Sequence, residues 1–129
     1  MTMLPERIQL LGVFAMAVLV PVGMAYFGVS RSFGAHPWWD MKTALIGAPI
    51  GGIIGLILMR FALTLRLGVS LLGLAGAVAA AWYGKTQFAA SFAENALAGK
   101  LWYFGWIGIA VGVSAVVMAL LARRVSSDI

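Results

Sequence analysis

The sequence predicts an all-α integral membrane protein: one four-span domain over residues 1–129, folded as a four-helix bundle with Gly/Ala-rich helix seams. Three observations carry that prediction. Hydrophobic residues make up 63% of the chain and charged residues 10%, where soluble domains average about 45–50% apolar and about 25% charged. Four stretches free of charge, about 8–30, 43–59, 67–84 and 101–122, each approach the roughly 20 residues a helix needs to cross the hydrocarbon core. Glycine recurs inside these stretches at helical spacing. In water it would weaken a helix. In lipid the backbone has little choice but to stay helical, and a bare position lets a second backbone come close.

Composition also excludes several classes. The chain has no cysteine, which removes disulfides, iron–sulfur clusters and thiolate zinc sites. Its net charge is +5. The nine Lys and Arg are spread among span ends, as membrane proteins place them, and are not clustered on a solvated face as nucleic-acid binding requires.

Taken in order, Met1–Arg7 is a short polar lead and Ile8–Ser30 the first span. Arg7 before an apolar run, with Gly23 and Ala25 near its end, also resembles a signal peptide; an uncleaved span is the expectation. Pro21 removes one helix hydrogen bond and predicts a kink. In the first connection, Ser30–Lys42, Gly34 and Pro37 break any helix, Trp38 and Trp39 read as an interfacial anchor, and Asp40 suits the first turn of the next helix.

The second span, Thr43–Met59, carries Gly47, Gly51 and Gly55 four residues apart, hence on one face. Pro49 frees the carbonyl of Leu45 within it. Arg60 and Arg66 bracket a five-residue surface turn. The third span, Leu67–Gly84, has small stripes at Gly73, Ala77 and Ala81 and at Gly76, Ala80 and Gly84; this face is the expected mate of the glycine seam. Lys85–Lys100 reads as a short interfacial helix or extension that sets Phe88 and Phe92 on one face and stops at Gly99. The fourth span, Leu101–Ala122, carries Gly105, Gly108, Gly112, Ala115 and Ala119, and Arg123 and Arg124 close it.

Four spans put Arg7, Arg60, Arg66, Arg123 and Arg124 on one side, against Arg31, Lys42, Lys85 and Lys100. The positive-inside rule then places both termini in the cytoplasm, and the expected location is a bacterial cytoplasmic (inner) membrane. All five tryptophans map to the opposite end.

Chemistry is scarce. No ionisable residue falls in the middle of a predicted span, which weighs against proton-coupled transport. His36 is the only histidine, short of a haem or metal ligand set. Ser70 and Ser114 have no neighbouring base; the expectation is that they bond their own helices. No catalytic residue and no cofactor motif stands out. Two constellations remain. The helix-packing seam comprises Gly47, Gly51, Gly55, Gly73, Ala77, Gly108 and Gly112. A ligand or partner surface at the aromatic end comprises Trp38, Trp39, Trp82, Trp102, Trp106, Arg31, His36 and Asp40.

Trp38-Trp39-Asp40 in the first connection, Trp82-Tyr83-Gly84 ending the third span and Trp102-Tyr103 opening the fourth form a layout that resembles the small membrane subunit of tripartite periplasmic transporters. The resemblance implies a four-helix membrane subunit. This chain is shorter and lacks a matching arginine near Tyr26, so no residue role or activity is carried over.

The function expected is therefore non-enzymatic: an accessory, scaffold or assembly subunit of a membrane complex, working by helix packing. Its partners would be membrane lipid and other membrane subunits or copies of itself. One alternative is a homo-oligomeric channel or transporter, kinked at Pro21 and Pro49. Another is an enzyme or binder of a lipid or quinone at the aromatic end, using His36, Asp40 and Arg31.

Overall fold

The computed structural model describes the backbone of residues 3–127 and the side chains of residues 8–122. Among the described residues every regular element is a helix: α1 (Met3–Tyr26), α2 (Val29–Ser32), α3 (Asp40–Leu58), α4 (Leu63–Ala90) and α5 (Ala96–Ser127). All but α2 are long and apolar enough to cross a membrane. The chain is an all-helical integral membrane protein.

The ends of these helices follow from local chemistry. The first span stops at Tyr26, four residues before the predicted end, because Gly28 takes a left-handed conformation with φ 80°. Any side chain would be strained there. Gly34, at φ 113°, turns the chain again ahead of α3. Asp40 opens α3, and its Oδ1 accepts the Met41 N–H at 2.8 Å.

The turn after α3 is shorter than the predicted five residues. α4 begins at Leu63, so Arg66 lies inside the helix and is buried. At its far end α4 runs through Lys85 to Ala90. No separate interfacial helix follows. Phe92 and Ala93 adopt positive φ, 55° and 67°, in a tight reversal. Phe92 is thus turned away from the face that Phe88 occupies. The Asn95 side chain accepts the Ala98 N–H at 3.0 Å, capping the start of α5. Gly99, expected as a stop, lies within α5. A Cβ there would come 2.9 Å from the Phe88 ring, so its bareness serves packing.

Packing centres on α5. The glycine seam of α3 lies against it: a Cβ at Gly47 would overlap the Ile107 carbonyl, at Gly51 the Val111 carbonyl, and at Gly55 the Met118 side chain. The two helices therefore run parallel. On another face of α5, Gly105 meets Ala81, Gly108 meets Ala77 and Gly112 meets Leu74, so α4 is antiparallel to α5. α1 completes a three-helix core with α3 and α5. Its Ala17 is fully buried against Met118 and Ala122, and Phe14 fills the space over Gly52.

The expectation that α4 mates with the α3 seam is thereby corrected. α5 has small residues on two faces, accepts a close neighbour on each, and so stands between them. Gly73 has no mate inside the protomer: apart from its own helix, no described atom lies within 4 Å of where its Cβ would be, as is also true of Gly12, Gly23, Gly68 and Gly76. Ser114 is a further correction. Its hydroxyl bonds a neighbouring helix, donating to the Ala48 carbonyl at 2.8 Å, one residue before Pro49. Pro21 lies inside α1 and is buried. Arg7, Arg123 and Arg124, which supply part of the charge asymmetry, fall outside the described side chains.

Candidate functional site

The residues assigned to the aromatic end separate into three places. The first is an ion pair. α2 carries Arg31 and the start of α3 carries Asp40, and the turn through Gly34 folds one onto the other. Arg31 Nε lies 3.2 Å from Asp40 Oδ2. The carboxylate side chain is 8% exposed and the arginine 48%. No N–H points along that line, since Oδ2 has no aligned hydrogen bond. The contact is ionic, and the outer part of the guanidinium remains open for another acceptor. Beneath it, Ser30, Asp40 and Thr43 border a cavity of about 10 Å³, close to the least room one water needs.

The second place is an aromatic stack. His36 lies parallel to Trp39 at 5.7 Å and edge-on to Trp102 at 5.5 Å. Trp39 meets Trp102 at 5.1 Å and Tyr103 at 5.2 Å. Trp102 Nε1 donates to the Gly34 carbonyl at 3.0 Å, pinning the first connection to α5. His36 Nδ1 accepts the Trp38 N–H at 3.1 Å, so the neutral ring carries its proton on Nε2. Trp38 stands almost fully exposed. A recess of about 400 Å³ between this stack and Lys100 is lined by His36, Trp38, Trp39 and Tyr103.

The third place is a cleft of about 800 Å³. Met24 of α1 and the α2 turn form one wall, Leu74, Val78 and Trp82 of α4 the other, and Trp106, Ile109 and Val113 of α5 the floor. It exists because α1 and α4 both pack on α5 and only weakly, if at all, on each other. Trp82 is 70% exposed along its rim, whereas Trp106, expected at the surface, is 8% exposed and belongs to the core. Arg31 and Lys85 line the cleft, and among the described residues no acidic one does.

Sequence reasoning did not single out Lys85, Phe33 or Arg66. Lys85 reads as the charge that ends a span, yet α4 carries it onward into the cleft wall. Arg66 is 5% exposed, with Nε and Nη1 lacking a hydrogen-bond acceptor among the described residues; Ser70, one turn on, is likewise buried with no partner for its hydroxyl among them. No pattern in the apolar run distinguishes a buried arginine from one that reaches for the interface. Among the described residues, no three His, Asp or Glu side chains come together.

The fold and these three places define the class: a helical integral membrane protein with a close-packed three-helix core and a fourth spanning helix attached along one side. No family model, curated protein or solved structure matches the chain.

Proposed function

We propose that this protein is a non-enzymatic subunit of a membrane assembly and that α4 is the helix it offers to a partner. One observation carries the reading: among the described residues α4 has a single substantial neighbour, α5, and one flank beside that contact is bare. Val69, Gly73, Gly76 and Ala80 follow helical spacing along that flank. Gly73 and Gly76 have open space where a Cβ would stand. The cleft uses the other flank, through Leu74, Val78 and Lys85. Small residues at that spacing are what a second membrane helix needs for close approach. The seam of α3 is consumed inside the protomer, so the partner surface is narrower than the sequence alone suggests.

The placement we favour is a bacterial cytoplasmic membrane with both termini in the cytoplasm. Arg60 and Arg66 at the α3–α4 connection support it, because that connection shares a side with the termini.

The test is the mass and composition of the gently solubilised particle. Gly73→Leu with Gly76→Leu fills the flank without touching the internal seams. The expected result is a fall from a multi-subunit mass to that of the lone protomer, with helicity unchanged. A particle of unaltered mass and composition refutes the proposal. Whether the subunits lost are copies of this chain or a different protein decides between a homo-oligomer and an accessory subunit.

A further inference from the structure

We propose that the cleft between the α1–α2 corner and α4 holds one anionic phospholipid of the surrounding bilayer, its phosphate between Arg31 and Lys85 and an acyl chain laid over α5. The proposal is independent of the packing role given to the other flank of α4.

The argument starts from charge. Two cations line one cleft, and among the described residues no carboxylate lines it with them. Arg31 is steadied from behind by Asp40, Nε to Oδ2 at 3.2 Å, and remains half exposed. A guanidinium held this way keeps its terminal N–H groups for a second oxygen acceptor, and phosphate matches that fork. Lys85 sits close over the α2–α3 turn: a Cβ at Gly34 would stand 3.3 Å from its Nζ. The same Nζ lies 6.0 Å from the centre of the Trp102 ring, the outer limit of a cation–π contact. Among the described residues Lys85 has no acidic partner. Lys85 is therefore free to take an anion from outside the protein, and Arg31, already paired with Asp40, keeps its outer N–H groups for a second one.

Depth comes next. Trp82 and Trp102 share the cleft with the two cations, and tryptophan marks the headgroup level of a membrane protein. Deeper along the same cleft the lining turns aliphatic: Leu74, Val78, Ile109 and Val113. A ligand that satisfies both ends carries an anionic head at the interface and a long apolar body below it. A quinone has the body without the charge and leaves Lys85 uncompensated. A soluble anion has the charge and leaves the aliphatic floor uncovered. The volume, about 800 Å³, falls in the range of sites that enclose a small molecule. Because one wall is α1 and the other α4, both spanning helices, the cleft is reached sideways from the bilayer. A phospholipid can enter it without leaving the membrane.

The experiment is lipid retention by the purified full-length protein in neutral detergent, read by native mass spectrometry. The probes are dioleoyl-phosphatidylglycerol, dioleoyl-phosphatidylcholine and oleate. One phosphatidylglycerol per protomer is expected, in preference to both others. Lys85→Gln changes an exposed side chain and is expected to reduce the preference for the anionic phospholipid about fivefold, the effect of one interfacial cation. Val78→Trp fills the cleft and is expected to abolish retention, with helicity and particle mass unchanged. Equal retention of the two phospholipids overturns the proposal. So does oleate displacing phosphatidylglycerol at equal concentration, which would assign the cleft to free acids. Full retention by the Val78→Trp variant overturns it as well, by placing the lipid elsewhere.

Discussion

Replacing Gly51 by alanine adds one methyl group where α3 and α5 come closest. The new Cβ would overlap the Val111 carbonyl oxygen and stand 2.7 Å from Ser114 Cβ. The first of these is backbone and cannot rotate away, so the helices must separate or slide. Overpacking of that kind costs about 1–3 kcal/mol. Separation also stretches the buried bond from Ser114 to the Ala48 carbonyl, now 2.8 Å; such interhelical bonds contribute about 0.6 kcal/mol in membranes and up to about 1.7. Alanine's better helix propensity returns under about 1 kcal/mol. The expected net loss is about 1–4 kcal/mol. It can be measured by reversible SDS unfolding in mixed micelles, followed by the fluorescence of the five tryptophans. Gly68→Ala is the control. Open space stands where its Cβ would be, so its substitution should stay within about 0.5 kcal/mol of the parent. A Gly51→Ala protein as stable as the parent, or a control that loses as much, would refute the α3–α5 contact and the reading of α5 as the central helix.

Other expectations follow from single residues. Ala93 holds φ 67° in the α4–α5 reversal, a conformation that costs an L residue roughly 1–2 kcal/mol; Ala93→Gly should stabilise the protein by about 0.5–1 kcal/mol in the same unfolding assay. Arg66 buries Nε and Nη1 without acceptors among the described residues, and exchanging a buried charge for an apolar side chain of similar length is often neutral or favourable. Arg66→Met is accordingly expected to leave stability unchanged or raise it by about 1–2 kcal/mol, and a loss above 1 kcal/mol would mean that the guanidinium has a partner. Because the chain has no cysteine, Arg60→Cys and Glu94→Cys each provide one label site. An impermeant maleimide added to intact cells should label Cys at 94 and spare Cys at 60; the reverse pattern inverts the proposed topology.

The fold class and the four spans were legible because a membrane imposes its demand continuously, over some 20 residues at a time. The seam at Gly47, Gly51 and Gly55 was legible as a place of close approach for a related reason: three bare positions on one face have few other uses in lipid. Its mate was not. α4 and α5 both carry small stripes, and periodicity describes a face without naming the face opposite. Charges misled in a consistent way. Arg66 and Lys85 read as the two ends of the third span, yet α4 runs beyond both of them, since a long side chain can bury itself against a neighbour or reach back along the helix. Backbone conformation was the least readable part. Gly28 ends α1 with a positive φ while lying in an apolar run, and nothing in Phe92-Ala93 announces a left-handed pair.

The close seams and the cleft have one cause. Small residues on two faces of α5 draw α3 in on one side and α4 on the other. A helix flanked so tightly keeps its neighbours from meeting each other. α1, bound to α5 and α3 through Ala17 and Phe14, cannot follow α4 around the far side. The gap between them then becomes the cleft floored by Trp106, Ile109 and Val113. Filling it with protein would have required larger side chains on α5, and larger side chains would have opened the seams. A sequence that invests in bare backbone at its centre therefore leaves apolar surface exposed to one side. In a bilayer such surface is covered by lipid at little cost, because lipid tails are as apolar as the side chains they touch. In the proposed lipid site, Arg31 and Lys85 turn this general covering into a selective one: they give the cleft a charge that only some of the surrounding lipids can match.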